Sequence, residues 1–282
     1  MSVEISGILL GNIRLYARPF AEYSPAIITR FPLGKEPLFP FEIGSDRGLG
    51  VLLLCAALYR PGAETRAANL IAGLYSRMGN DIFRLNRISF EKLQDELMKL
   101  PMAPDVEEQK RIPGILRSVC DFFYKTGSLR EWMASANNWE PLVAELSAEI
   151  FWMGKHSKWH TKSRYFFWLT SFQTAFSASF TQALGFHWPV GEGHLRFRDN
   201  FFPVWMKQAK YASTKPELQT EFFNLGCKIF PEEPWKLFQP MDAYLRPETE
   251  HEYLCRKLQG SCHSCPVVKS CPAAKYFKTP AP

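Results

Sequence analysis

CRKLQGSCHSCPVVKSC, residues 255–271, places Cys255, Cys262, Cys265 and Cys271 at intervals of six, two and five residues. Four thiolates this close in sequence can close on one metal centre. Such a donor set suits either a tetrahedral zinc or a cubane [4Fe–4S] cluster. Cys262 and Cys265 supply two ligands from one tight turn, and the longer arms bring the other two. Structural zinc usually takes two short Cys-x2-4-Cys pairs; only one is present, so the spacing favours the cluster over zinc. Disulfides fit poorly, because no secretory signal accompanies the chain.

Working outward, the 282 residues suffice for one large domain or two modest ones with a sizeable core. Hydrophobic content of 46% and charged content of 22% are those of an ordinary globular chain. The aromatic share is high, 15% with eight Trp, and aromatic rings both fill cores and stack on nucleobases. Net charge is +6, and its distribution says more than its size. Residues 151–210 hold eight Lys or Arg (Lys155, Lys158, Lys162, Arg164, Arg196, Arg198, Lys207 and Lys210) against two acids, Glu192 and Asp199. Four of the six His and five of the eight Trp lie there too. A cationic, aromatic-rich segment suits a nucleic-acid surface; the competing reading is a solvated basic helix face. Cys55, Cys120 and Cys227 sit in apolar settings and read as small core residues. The N-terminal MSVEISGILL has no cationic n-region or cleavage site, and the longest apolar run, Gly48 to Tyr59, is too short to span a bilayer. The expectation is a soluble, intracellular protein of a reducing cytoplasm.

Residues 1–45, rich in Pro and aromatics, read as short extended pieces and turns, an arm packed on a helical body. From Ser45 the pattern is helical. Gly48 to Tyr59 is apolar all round and predicts a buried helix. After the loop Arg60 to Ala63, a helix presents Leu70, Ile71, Leu74, Tyr75 and Met78 on one face and stops at Gly79. Ser89 to Lys99, Val106 to Phe123 and Trp139 to Trp152 follow with helical period. Met153 to Lys158 breaks the pattern before a long aromatic helix from about Trp159 to Leu184. Phe201 to Lys210 and Pro216 to Cys227 read as further helices.

At its four cysteines the chain resembles the endonuclease III family of DNA glycosylases, part of the helix-hairpin-helix superfamily, which also includes the adenine-mismatch glycosylases. The match in spacing is complete. The resemblance implies an all-α fold: an N-terminal arm (1–45), a six-helix domain containing the hairpin (46–185) and a C-terminal iron–sulfur cluster domain (186–282). The cofactor implied is a structural [4Fe–4S] cluster on Cys255, Cys262, Cys265 and Cys271. Arg256 and Lys257, on the loop that the cluster would stiffen, are implied phosphate contacts.

Further residues resemble the family's motifs. The helix, Gly turn and helix around residue 154 look like the hairpin, whose turn in the family reads close to Pro-Gly-x-Gly-x-Lys. Its chemical need is backbone N–H groups aimed at one phosphate from a helix N-terminus. Gly154 matches the first glycine and His156 stands in place of the second, with Lys155 between them. Lys158 falls where bifunctional members carry a Schiff-base lysine, and Lys162 is a second candidate. Downstream, Gly185 to His194 is similar to the family's Phe-Gly-Trp-Pro turn followed by Val-Asp-x-His. Glu192 then replaces the catalytic Asp, and His194 and Arg196 join the DNA contacts. A carboxylate there would oppose the positive charge that builds on the sugar, or orient a water. A one-residue shift of the match would instead put Gly191 at that place. Arg60 lies near the position from which the family fills the gap left by an extruded base.

The function implied is a DNA glycosylase of base-excision repair, a monofunctional enzyme rather than a lyase. It would act as a monomer on duplex DNA in the cytoplasm, on the nucleoid if bacterial. It would flip one nucleotide out of the stack and cleave the base–sugar bond. Aromatic residues Trp159, Phe166, Phe167, Trp168, His187 and Trp188 suggest a pocket for a bulky modified base, with core packing as the plainer reading. A catalytically degenerate cluster protein that only binds DNA, and a cluster protein with a redox partner, are the alternatives.

Overall fold

The structure, a computed structural model, describes residues 24–60, 64–101, 105–136, 139–154, 160–170 and 215–237, together with Leu10, Gly11, Ile13, Arg14 and Ala17. The described residues are helical with no strand among them, in keeping with an all-α fold. The chain divides into two compact units, Ser24–Pro189 and Met1–Tyr23 with Val190–Pro282.

In the larger unit the central element is α1, Asp46–Leu58. Ser45 caps it, its Oγ accepting from the Gly48 N–H at 3.1 Å. Every residue from Gly48 to Ala57 is buried, as an all-round apolar helix requires. Each buried leucine contributes on the order of 1.5–3 kcal/mol. Gly48 is obligatory: a Cβ there would lie 2.2 Å from the Glu42 carbonyl oxygen and 2.4 Å from that of Ile43. The remaining helices of this unit are α2 (Glu64–Met78), α3 (Phe90–Met98), α4 (Val106–Thr126), α5 (Leu129–Ala134), α6 (Glu140–Glu149) and α7 (Thr161–Thr170). Helix α1 packs against α2, α4, α5 and, most extensively, α7.

Local signals set the boundaries. Helix α2 ends where Gly79 turns left-handed (φ 56°), and α4 ends at Gly127 (φ 79°). Ser89 caps α3, and Asp105 with Glu108 forms a capping box on α4. Residues 24–45 form turns and a 3-10 helix, Ile28–Arg30. Phe39 joins them to α2 by an edge contact with Tyr75, centroids 5.0 Å apart.

Three elements differ from the sequence expectation. Helix α5 has only six residues, too few for a period to show; Ser128 caps it and also donates to Asp46 at the start of α1, 3.1 Å away. The helix expected from Trp139 to Trp152 ends at Glu149, because Ile150 is extended and Trp152 takes φ 66°. Leu10, Gly11, Ile13, Arg14 and Ala17 are helical where extended pieces were expected.

In the smaller unit α8, Lys215–Ile229, precedes a 3-10 turn, Pro234–Leu237. It covers the expected helix at Pro216 to Cys227. Ile13, Ala17, Phe222 and Leu225 are buried, and Arg14 Nη2 donates to the Lys228 carbonyl at 2.9 Å. Among the described residues no helix is long and apolar enough to cross a membrane.

Candidate functional site

Of the candidate catalytic, DNA-contact and metal-ligating residues, Arg60, Gly154 and Lys162 lie among the described residues. Glu192, Lys155, His156, Lys158, His194, Arg196, Arg256 and Lys257 lie outside them, as do Cys255, Cys262, Cys265 and Cys271. Within the described residues, the larger unit brings Lys162 and Arg60 to one place, and Gly154 sits in the turn that leads there.

Lys162 is the second residue of α7. Its Nζ donates to the Ala57 carbonyl in the last turn of α1, at 2.6 Å. That carbonyl belongs to the final turn, whose acceptors have no partner inside the helix. The α1 dipole favours a cation at this end, yet two stronger influences oppose it. Burial removes water from the ammonium, and the Arg60 and Arg111 guanidinium groups repel it. Together they lower the Lys162 pKa from 10.5 to about 8.

The arginines are placed by the start of α4. Glu108 is buried, and its carboxylate accepts from the Asp105 N–H at 3.2 Å, pairs with Arg66 and lies 3.3 Å from Arg60 Nη1. Asp105 completes the box by accepting from the Glu108 N–H at 2.8 Å, which lowers its own pKa. One turn along α4, Arg111 pairs with Glu107 and sets its guanidinium 5.2 Å from the centre of the Trp152 ring. The Asp105-x-x-Glu108 box is legible as sequence; Arg111 gave no signal, since its role depends on α4 lying beside the α6–α7 turn.

Among the described residues of that turn, Trp152 (φ 66°), Gly154 (φ 102°) and His160 (φ 45°) are left-handed. The conformation is ordinary for glycine and uncommon for the other two. Hydrogen bonds hold the turn at both ends. The Phe151 N–H donates to Ser118 Oγ on α4 at 3.1 Å. His160 Nδ1 lies 2.9 Å from Ser147 Oγ, which is 2.7 Å from Ser163 Oγ. Arg164 adds a bidentate pair to Glu140, 2.8 and 2.9 Å, which ties α7 to the start of α6.

Phe166, Phe167 and Trp168 are fully buried and belong to the core rather than to a pocket wall. Phe167 stacks on Trp139 at 4.8 Å and Trp168 on Tyr165 at 5.3 Å. Trp159, His187 and Trp188 lie outside the described residues. A cavity of about 630 Å³ lies elsewhere in this unit, lined in part by Arg30, Glu36, Asn69, Ser76 and Leu100; no sequence motif marked it.

Cys55 and Cys120 are buried free thiols, and Cys227 is half-buried. Burial raises all three pKa values, that of Cys120 to about 11, so these thiols stay protonated. Among the described residues no group of three or more His, Cys, Asp or Glu is arranged to hold a metal ion. No family model matches the chain, and no curated protein or solved structure matches it.

Proposed function

We propose that the protein is a DNA glycosylase of the helix-hairpin-helix type, with a structural [4Fe–4S] cluster on Cys255, Cys262, Cys265 and Cys271. The observation that carries this reading is the seat of Lys162 beside the α6–α7 turn. The family that the four-cysteine spacing resembles carries a hairpin turn that ends in glycine, any residue and lysine. His160, Thr161 and Lys162 supply that ending, with His160 in the left-handed conformation that glycine favours. In this register Lys162 is the lysine that opens the second helix. Gly154 supplies an earlier left-handed glycine, and Arg60 and Arg111 supply positive charge for a phosphate.

In the chemistry proposed, a nucleotide is flipped out of the duplex and its base–sugar bond is broken. Glu192 opposes the positive charge that develops on the sugar as the base departs with the bonding electrons and takes up a proton; a water adds to C1′ and gives up a proton, leaving an abasic sugar. Cys255, Cys262, Cys265 and Cys271 would hold the cluster, which would tie the loop that carries Arg256 and Lys257.

A lyase step is the second reading, favoured by the depressed pKa of Lys162. Near neutral pH a lysine at about 8 holds far more free amine than one at its ordinary value. Free Nζ attacks the sugar C1′ and the base leaves with the bonding electrons, taking up a proton; the bound nitrogen loses a proton, and its lone pair then expels the ring oxygen O4′, which takes up a proton, giving an open-chain iminium. Borohydride would reduce that iminium to a stable amine that joins protein to DNA.

Two measurements test the reading. Duplex binding is titrated against salt: log K is expected to fall linearly with log salt, by about 0.9 per phosphate neutralised. Binding that is absent or ignores salt contradicts a DNA function. Borohydride trapping on abasic DNA is expected with the wild type and not with Lys162→Met. Equal trapping by both removes Lys162 from the lyase reading.

A further inference from the structure

We propose that Phe151 and Trp152 form a stacking platform for an unpaired nucleobase, placed beside the site of Lys162; the inference rests on the DNA reading above. The two rings are adjacent, with centroids 5.8 Å apart and planes 51° apart. Both are half-exposed, 51% for Phe151 and 50% for Trp152, so neither is consumed by the core. Their support is built. Phe151 lies along α4, where a Cβ on Gly114 would already touch its ring at 3.6 Å, and its N–H is held by Ser118.

Trp152 stands in a left-handed conformation, φ 66°, that bulky residues rarely adopt. A half-exposed indole gains little burial to offset it. Strain kept at an exposed residue points to what that residue displays. What it displays is an aromatic face with a cation beside it, since Arg111 sits 5.2 Å from the ring centre. Arg111 is also near enough to Lys162, with Arg60, to repel its charge. Glu107 and Glu108 hold these two arginines in place.

A ring for a base and a guanidinium for the adjoining phosphate is the composition of a single-strand binding surface. Arg60, Arg66, Arg111 and Lys162 outnumber Asp105, Glu107 and Glu108 in this cluster, a positive balance that a purely apolar protein partner would leave unanswered. The nucleic-acid strand is therefore the occupant that the surface fits. Any base can stack, so the platform selects an unstacked base without reading its identity.

Binding is measured on two strands of equal phosphate number, an oligothymidine and a strand of abasic tetrahydrofuran residues. Wild type, Trp152→Gly and Trp152→Tyr are compared as full chains. Glycine accepts the left-handed backbone, so Trp152→Gly preserves the turn, and an unchanged helical circular dichroism spectrum verifies it. The wild type is expected to favour the base-bearing strand by about tenfold. Trp152→Gly should lose that preference while its affinity for the abasic strand stays, and Trp152→Tyr should restore most of it.

A preference that survives in Trp152→Gly overturns the platform and leaves the DNA reading intact. A wild type that binds neither strand nor duplex overturns the DNA reading and the platform together. Self-association that disappears in Trp152→Gly would assign the rings to a protein contact, which also overturns the proposal.

Discussion

Lys162 is the residue where competing electrostatic influences are most directly measurable. Its ammonium is hydrogen-bonded to Ala57, which favours the charged form, while burial and two guanidinium groups favour the neutral one. The second set prevails and brings the pKa to about 8. Reductive alkylation followed by peptide mapping should show Lys162 labelling rise with a midpoint near pH 8, well below the other lysines. Arg60→Ala removes one repelling charge and should move that midpoint upward. The stability consequence has a definite sign. Below about pH 8 the lysine is charged in both folded and unfolded chains, and folding bears the cost of burying it. Between about 8 and 10.5 the unfolded chain holds the proton and the folded chain does not, so stability rises with pH through that window. In urea unfolding, Lys162→Met should abolish this rise.

The residue chemistry was partly legible. Lys162 is named in the sequence as a second candidate for the family's Schiff-base lysine, and Arg60 for its nearness to the position from which the family fills the gap left by an extruded base. Their mutual repulsion is not legible there, because it needs α1, α4 and α7 brought together across the fold. The aromatic residues show the opposite limit. Phe166, Phe167 and Trp168 had been assigned to a pocket as well as to the core. The unbroken run Tyr165 to Leu169 covers every side of a helical turn, so its pattern has no direction and sequence alone does not say which.

At the scale of elements, capping and glycine signals placed most boundaries. Ser45, Ser89 and the Asp105–Glu108 box start helices, and Gly79 and Gly127 end them. What sequence could not place was short or strained. Helix α5 has less than two turns, and α6 stops because the chain enters the Trp152 turn, a tertiary requirement. The start of α4 is the element whose loss matters most here, since Glu108 joins a cap to two arginines. Glu108→Ala should destabilise the protein by about 3 kcal/mol, because it leaves two guanidinium groups without their carboxylate and opens the cap. Chemical denaturation measures this. A loss under roughly 0.5 kcal/mol, the level of an ordinary surface substitution, would show that solvent replaces these pairs.

For the whole molecule, the division at residues 23–24 and 189–190 sets the four motif cysteines in the unit that also contains the N-terminal residues. Those cysteines carried the resemblance in the sequence, and their spacing makes a definite compositional prediction. Purified protein should contain iron and acid-labile sulfide in equal amounts, and Cys262→Ser should lose both. Stoichiometric zinc without iron would remove the cluster and, with it, the sequence resemblance behind the glycosylase reading.

Base release tests the central claim most directly. Wild type and Glu192→Gln would be incubated with unmodified, damaged and bulky modified duplex DNA, with free bases identified by mass spectrometry and abasic sites by alkaline cleavage. Release of a base by the wild type, lost in Glu192→Gln, is the predicted result. Salt-sensitive DNA binding by both proteins, with no base released from any substrate, would contradict it and leave a DNA-binding protein without glycosylase activity.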